Sequence, residues 1–232
     1  MQVNTLILGA GAAGLMCAAH AGPNTLVIDH AKKPGEKIRI SGGGRCNFTN
    51  MYCTPQNFLC ENPHFAKSAL ARYTQWDFIE LVAKHGIAYH EKTLGQLFCD
   101  GKSTQIVQML LDEMAHAEAA LWLETTVASV DYDGTDFVVG LEHKSKRKTV
   151  LARNLVLATG GKSIPKMGAT GLAYDIAAQF GHSLTETRPA LVPFTFSDNP
   201  FTPLSGTAAD TRATADHTSF DEATLFTHRG LS

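Results

Sequence analysis

The chain opens on Val3-Asn4-Thr5-Leu6-Ile7-Leu8, a nearly continuous apolar run that stops at Gly9-Ala10-Gly11-Ala12-Ala13-Gly14. A short apolar run ending at glycine reads as a parallel strand buried on both faces. The small residues from Ala12 to Ala21 predict a helix, and Thr25-Leu26-Val27-Ile28 predicts a second strand ending in Asp29. In this strand–turn–helix setting the glycines divide the work. Gly9 permits the tight turn, Gly11 admits a pyrophosphate to the backbone, and Gly14 lets the helix lie close to the strand. The helix start adds unpaired N–H groups and a positive dipole end. Asp29 stands eighteen residues after Gly11, near the roughly 20-residue spacing of an acid that accepts from ribose hydroxyls. Its charge disfavours a 2′-phosphate. NAD and FAD share this βαβ pattern, so the first thirty residues predict a dinucleotide without choosing which.

Further along, Ala31 to Tyr52 is polar and glycine-rich and reads as a loop. Helices are predicted over Thr74–His85, with Gly86 as the stop, and over Thr104–Ala117, where Ile106, Val107, Leu110, Leu111 and Met114 share one face. Leu121–Val130 and Asp136–Glu142 read as antiparallel strands around Asp133-Gly134-Thr135. Leu155-Val156-Leu157-Ala158 reads as a buried strand ending at Thr159-Gly160-Gly161, followed by a helix from Leu172 to Phe180 capped by Thr170 and stopped by Gly181. After Pro189 the prolines and Thr/Ser/Asp content mark a β-rich unit. The expected organisation is an α/β Rossmann-like domain, parallel sheet plus β-meander, over 1–190, and the beginning of a truncated β-rich second domain over 191–232.

Composition narrows the function classes. With 44% hydrophobic and 18% charged residues among 232, neither disorder nor a fibrous chain is plausible. The net charge of −2 implies no polyanion partner, and the basic run Lys144, Lys146, Arg147, Lys148 follows an alternating stretch and reads as a solvated hairpin tip. No apolar stretch reaches the roughly 18–20 residues of a membrane span, and no basic leader precedes Val3, so a cytoplasmic protein with no membrane or nucleic-acid partner is expected. Five cysteines argue against a disulfide framework. Cys46, Cys53 and Cys60 recur every seven residues, which is not the spacing of a zinc or iron–sulfur site, and no metal is expected. His85, His90, His182 and His217 have no partner at telling spacing and read as structural or solvated.

The segment Lys33-Pro34-Gly35-Glu36-Lys37-Ile38-Arg39-Ile40-Ser41-Gly42-Gly43-Gly44-Arg45-Cys46-Asn47-Phe48-Thr49-Asn50 is the most specific in the chain. Its three glycines can present backbone N–H groups to phosphate or a flavin edge, Arg45 can add a charge-assisted contact, and Asn47 can donate and accept. On this segment the chain resembles the bacterial NAD(P)/FAD-dependent oxidoreductases that include aminoacetone oxidase-like proteins and a bile-acid dehydroxylation flavin reductase. The resemblance implies FAD, gripped by Gly9, Gly11, Ala12, Ala13, Gly14, Asp29, His30, Glu36, Lys37, Gly42, Gly43, Gly44, Arg45, Cys46 and Asn47. It also implies a backbone contact to adenine at Val127 and close approach at Thr159, Gly160 and Gly161. Gly168 to Tyr174, Pro189 to Phe194 and Leu225 to Ser232 match further family segments, the last read as a structural turn around His228 and Arg229.

The activity this resemblance implies is hydride transfer through flavin between NADH or NADPH and a small organic substrate or dioxygen. Two alternatives stay open: an FAD-containing tRNA-modifying enzyme, and a dinucleotide-binding module without turnover. Two departures from the family stand out. The His20–Asn24 turn is about three residues short, which bears on how Asp29 meets the ribose, and family members continue beyond Ser232.

Overall fold

The computed structural model describes residues 1–189 and 192–232, so the boundary expected near residue 190 lies outside the described residues. The chain divides into two compact units, Met1–Leu184 and Thr185–Ser232. In chain order the first holds β1 (Gln2–Leu8), α1 (Ala12–Ala21), β2 (Thr25–Ile28), α2 (Glu36–Ile40), β3 (Asn47–Asn50), α3 (Lys67–Arg72), α4 (Gln75–Lys84), β4 (Tyr89–Glu91), β5 (Gln96–Cys99), α5 (Thr104–His116), β6 (Ala120–Trp122), β7 (Thr125–Tyr132), β8 (Phe137–His143), β9 (Lys146–Leu157) and α6 (Leu172–Gln179). The second holds β10 (Phe194–Thr195), β11 (Ala208–Ala215), β12 (Thr218–Thr227) and β13 (Gly230–Leu231).

A six-stranded sheet orders its strands β6-β2-β1-β9-β8-β7. β6, β2, β1 and β9 run parallel, while β9, β8 and β7 form an antiparallel meander. The fold is the Rossmann-like α/β architecture expected. Its apolar opening is explained by two cores. Ile7 and Val27 enter the one capped by α1 and α5, whereas Leu6, Leu8, Leu26 and Ile28 enter the one shared with the meander and α6. Successive strand residues point to opposite faces, so a strand covered on both sides carries no polar alternation. Each fully buried aliphatic contributes about 1.5–3 kcal/mol.

Helix boundaries follow local chemistry. The Thr74 hydroxyl accepts from Asp77 N, and the Asp77 carboxylate accepts from Thr74 N at 2.6 Å, a reciprocal cap that starts α4. Where α4 ends, His85 Nε2 meets Glu113 Oε1 of α5 at 2.7 Å, a pairing of residues far apart in sequence that holds the Glu113 carboxyl below its usual range. α6 begins after Gly171 rather than Thr170, although the Thr170 hydroxyl accepts from Leu172 N at 3.3 Å.

Four expectations are corrected. The supposed loop from Ala31 to Tyr52 contains α2 and β3; α2 is only five residues long, too short to show a period, and the polar Asn47–Asn50 is a strand because it pairs with β5 in a three-stranded sheet β3-β5-β4. Leu121–Val130 is two strands: β6 joins β2 in parallel, Glu124 adopts a positive φ of 51°, and β7 starts the meander. The strand at Leu155–Ala158 is the end of the twelve-residue β9, whose exposed, charged start leads into buried Val150 and Ala152. Only Lys144 and Ser145 form the hairpin tip, with Lys146 to Lys148 already paired to β8.

The second unit is an antiparallel sheet ordered β10-β13-β12-β11. Thr227 Oγ1 accepts from Gly230 N at 3.0 Å and so closes the His228–Arg229 turn between β12 and β13.

A Cβ placed on Gly14 would lie deep inside van der Waals contact with the Gly9 carbonyl oxygen, a backbone atom that cannot swing away. Gly14→Ala should therefore destabilise the fold by about 1–3 kcal/mol or more, the range of overpacked core sites. Urea unfolding measures it, and an unchanged midpoint would show that α1 can move off β1 freely.

Candidate functional site

The C-terminal ends of β1, β2 and β9 meet β7 around a cleft of about 400 Å³. Its walls are Leu8, Gly9, Ile28, Asp29, His30, Thr125, Thr126, Val127, Thr159, Gly168, Thr170 and Leu172. In open α/β sheets, ligands bind outside the carboxyl ends of the strands. Mostly apolar walls with a few convergent polar groups are the usual character of such a cleft.

At the cleft's floor Gly9 turns the chain with φ 113°, and α1 starts at Gly11 with neither a side-chain cap nor an acidic residue in its first turn. A Cβ at Gly11 would meet no protein atom within 4 Å. Internal packing thus explains Gly9 and Gly14 but not Gly11, which borders open space where the first N–H groups of α1 point. That arrangement suits an anionic oxygen and fits the pyrophosphate of a dinucleotide.

Asp29 does two things. Its Oδ2 accepts from Ala10 N at 2.7 Å and its Oδ1 from Ala31 N at 2.9 Å, so the carboxylate clamps the glycine turn to the end of β2. A carboxylate has about four acceptor sites, so these two bonds leave acceptor capacity on Asp29, which lines the cleft. His30 Nδ1 lies 3.3 Å from Asp29 Oδ1, and the His30 ring packs on Gly168, whose φ of 78° favours glycine. Val127 sits on the edge strand β7 beside a bulge, its pairing passing from Val127–Leu141 to Ser129–Gly140. An edge strand leaves backbone N–H and C=O groups unpaired, as an adenine edge requires.

A second group lies along α2 and the glycine run. Gly35 N donates to Ala10 O at 2.8 Å and joins this segment to the first turn. Lys37 Nζ donates to Ser163 Oγ at 3.1 Å and Gly161 O at 3.5 Å, bringing Lys37, Gly160 and Gly161 together. Gly42 has φ 56°, and a Cβ there would come within 2.6 Å of the Phe98 ring, while Gly43 borders open space. The run is held from behind: Ser103 N donates to Gly44 O at 2.8 Å and Cys99 N to Arg45 O at 3.0 Å. Arg45 and Asn47 are exposed, and Glu36 is exposed at the start of α2. Cys46 is buried, and desolvation pushes its thiol up; Cys99 behind it is pushed up to about 11. Such thiols are inert at neutral pH.

Of the sequence-derived residues, Gly9, Asp29, His30, Val127 and Thr159 line the cleft, and Gly11, Ala12, Ala13 and Gly14 form the adjoining turn. Lys37, Gly160 and Gly161 meet at a neighbouring point, and Gly42–Asn47 form a separate, preformed loop. Sequence reasoning missed Thr125, Thr126, Gly168, Thr170 and Leu172 as wall residues. The glycine at 168 was the available signal; the threonines carried none. Among the described residues no group of His, Cys, Asp and Glu gathers for a metal, and no helix is long and apolar enough to cross a membrane.

The family model described as the HI0933-like protein Rossmann domain matches residues 3–229. The chain belongs to this family. Among curated relatives, the ribosomal RNA dihydrouridine synthase of Escherichia coli is 52% identical over 238 aligned positions, covering 100% of this chain and 58% of that protein. The protein of the same name from Haemophilus influenzae is 49% identical, covering 98% and 58%. A 3-dehydro-bile acid delta(4,6)-reductase from Clostridium scindens is 25% identical, covering 90% and 51%. This chain therefore spans somewhat over half the length of these relatives. Among solved structures, CabE, an aromatic hydroxylase from angucycline biosynthesis, aligns with a TM-score of 0.50 and 12% identity over 99% of this chain and 45% of its own. An Escherichia coli quinol fumarate reductase FrdA variant aligns at 0.50 and 17% over 70% and 33%. At such identities the likeness is one of fold. The family and its reductase member support an oxidoreductase-type fold, and the two RNA-named relatives stand against the expectation that nucleic acid is no partner.

Asp29→Ala removes both carboxylate acceptors from Ala10 N and Ala31 N. Bonds to a charged acceptor contribute about 1.5–3 kcal/mol, so the unfolding midpoint should fall accordingly at pH 7. No change would mean that the carboxylate serves a ligand alone.

Proposed function

We propose that this chain supplies the FAD-binding region of an enzyme that reduces a uridine of ribosomal RNA, with NADH or NADPH as the electron donor. The observation that carries the reading is the 52% identity, along the whole chain, to a protein named for that reaction. The open space at Gly11, bordered by the uncapped start of α1, supports the dinucleotide part of it.

In this reading Gly11, Ala12 and Ala13 hold the pyrophosphate through backbone N–H groups. Asp29 uses its spare acceptor sites on the ribose hydroxyls while still clamping the turn, and the backbone at Val127 meets the adenine. Lys37, fixed beside Gly160 and Gly161, supplies a positive charge near the phosphates, and the Gly42–Asn47 loop faces the isoalloxazine. When bound, the flavin supplies hydride transfer, which no side chain can provide. The preformed loop supplies position, and Arg45 an exposed cation for an anionic group.

The whole-chain charge of −2 by itself implies no polyanion partner. Net charge is a sum that does not say where cations stand, and it bears on long-range attraction rather than on a site.

The test uses the full-length protein. Ribosomal RNA from cells lacking the gene, incubated with protein, FAD and NADH or NADPH, should gain two hydrogens at a uridine by mass spectrometry. Gly11→Val should fold normally, because its backbone is extended (φ −84°, ψ −168°) and its space is open, yet lose FAD affinity in a fluorescence titration. Unmodified RNA would overturn the substrate; unchanged FAD affinity in Gly11→Val would overturn the cofactor turn.

A further inference from the structure

From Asn47 to Leu81 no residue is buried, yet the segment carries some of the most exposed large apolar side chains in the chain: Leu59 at 92%, Phe65 at 79% and Tyr52 at 66%, with Phe58 and Trp76 also exposed. These side chains do not build a core. The segment is anchored at its two ends, where Phe48, Phe78 and Leu81 pack on the main core, and between them polar contacts tie the chain. Tyr52 N donates to Asn50 Oδ1 at 2.8 Å, Thr54 N to Asn57 Oδ1 at 2.8 Å, His64 N to Asn62 Oδ1 at 3.0 Å, and Gln75 Nε2 to Met51 O at 3.0 Å. A backbone pinned by amide side chains holds its aromatics outward at no cost to the fold. Clustered exposed apolar surface of this kind marks an interaction site.

Within it, Pro55, Gln56, Phe58, Leu59, Pro63 and Lys67 line a groove of about 430 Å³. Between Arg45 and Trp76 the charged residues are Arg45, Lys67, Arg72 and the single acid Glu61, and among the described residues none of the three cations has an ion-pair partner. Along this stretch cations outnumber acids, on a chain that is acidic overall, and Lys67 stands on the groove itself. Interleaved aromatic rings, side-chain amides and unpaired cations match single-stranded nucleic acid, whose bases stack on rings and whose phosphates need charge. β3 runs directly from the Gly42–Cys46 loop to this segment, a distance of roughly 13 Å for four residues at about 3.3 Å each. An enzyme acting on a base must take it out of its stack, which leaves its neighbours needing new partners.

We propose that the groove of residues 55–67, with Phe58, Leu59 and Lys67 on its walls and Phe65 beside it in sequence, docks unpaired bases that flank the nucleotide delivered to the cofactor. This inference rests on the RNA reading above and deepens it. Phosphates of the same strand meet Lys67 and Arg72.

The test measures binding of protein-free ribosomal RNA, and of a fluorescein-labelled oligouridylate as single-strand probe, to the full-length protein with FAD. Phe58→Ala with Phe65→Ala should weaken binding of both by about ten-fold or more, given that loss of one stacking partner costs about five-fold or more, with FAD affinity and unfolding midpoint unchanged. Lys67→Gln with Arg72→Gln, which removes no packing, should lower the slope of log affinity against log salt by about 1.4, since each phosphate contact in a single strand contributes about 0.7. If wild type binds RNA and both double variants bind equally with the same salt slope, the groove is overturned while the RNA reading stands. If wild type binds no RNA, both fall. If the aromatic variant changes only the oligomeric state seen by light scattering, the surface is a protein interface and the proposal is overturned.

Discussion

The backbone of α1 passes against the turn at Gly9 so closely that Gly14 has no room for a side chain. Everything at the cleft depends on this contact. It sets the start of α1 at the carboxyl end of β1, and it brings Ala10 N to the Asp29 carboxylate, which ties β1 to β2. Gly35 N then bonds Ala10 O, so the glycine run of residues 42–44 is positioned from the same turn. A close helix–strand approach made by two glycines acts through the hydrogen bonds it makes possible.

Those bonds separate structural from ligand-directed roles. Gly9 and Gly14 are required by protein atoms and Gly43 by its positive φ of 66°, whereas Gly11 borders space that no protein atom fills. Asp29 belongs to both classes: two backbone N–H groups engage it, and it lines the cleft with acceptor capacity to spare. The cysteines that recur every seven residues serve no common centre. Cys46 is buried and Cys60 exposed, because one lies under the glycine loop and the other in a segment with no core.

The proposed RNA partner would account for two features together, an acidic chain and an aromatic segment that the fold leaves exposed. Charge summed over 232 residues hides a stretch with three unpaired cations and one acid. The physical quantity that matters for a docked strand is local, because screening confines exposed charges to about 8–10 Å.

The sequence by itself determined the βαβ opening almost to the residue, since a strand buried on both faces, a small-residue helix and a glycine turn each leave a local signature. The matched bounds of α1 and β2 show this, as does α5, whose apolar face repeats over three turns. Tertiary structure decided the rest. Asn47–Asn50 is a strand because β5 pairs with it, β6 is parallel because β2 lies beside it, and the charged start of β9 is ordered by β8. The cleft's far wall at Thr125, Thr126 and Thr170 was likewise invisible, because a threonine becomes a wall residue only when distant strands converge on it. Local pattern records what a residue prefers among its chain neighbours; pairing and convergence depend on partners that the chain reaches only once it has folded.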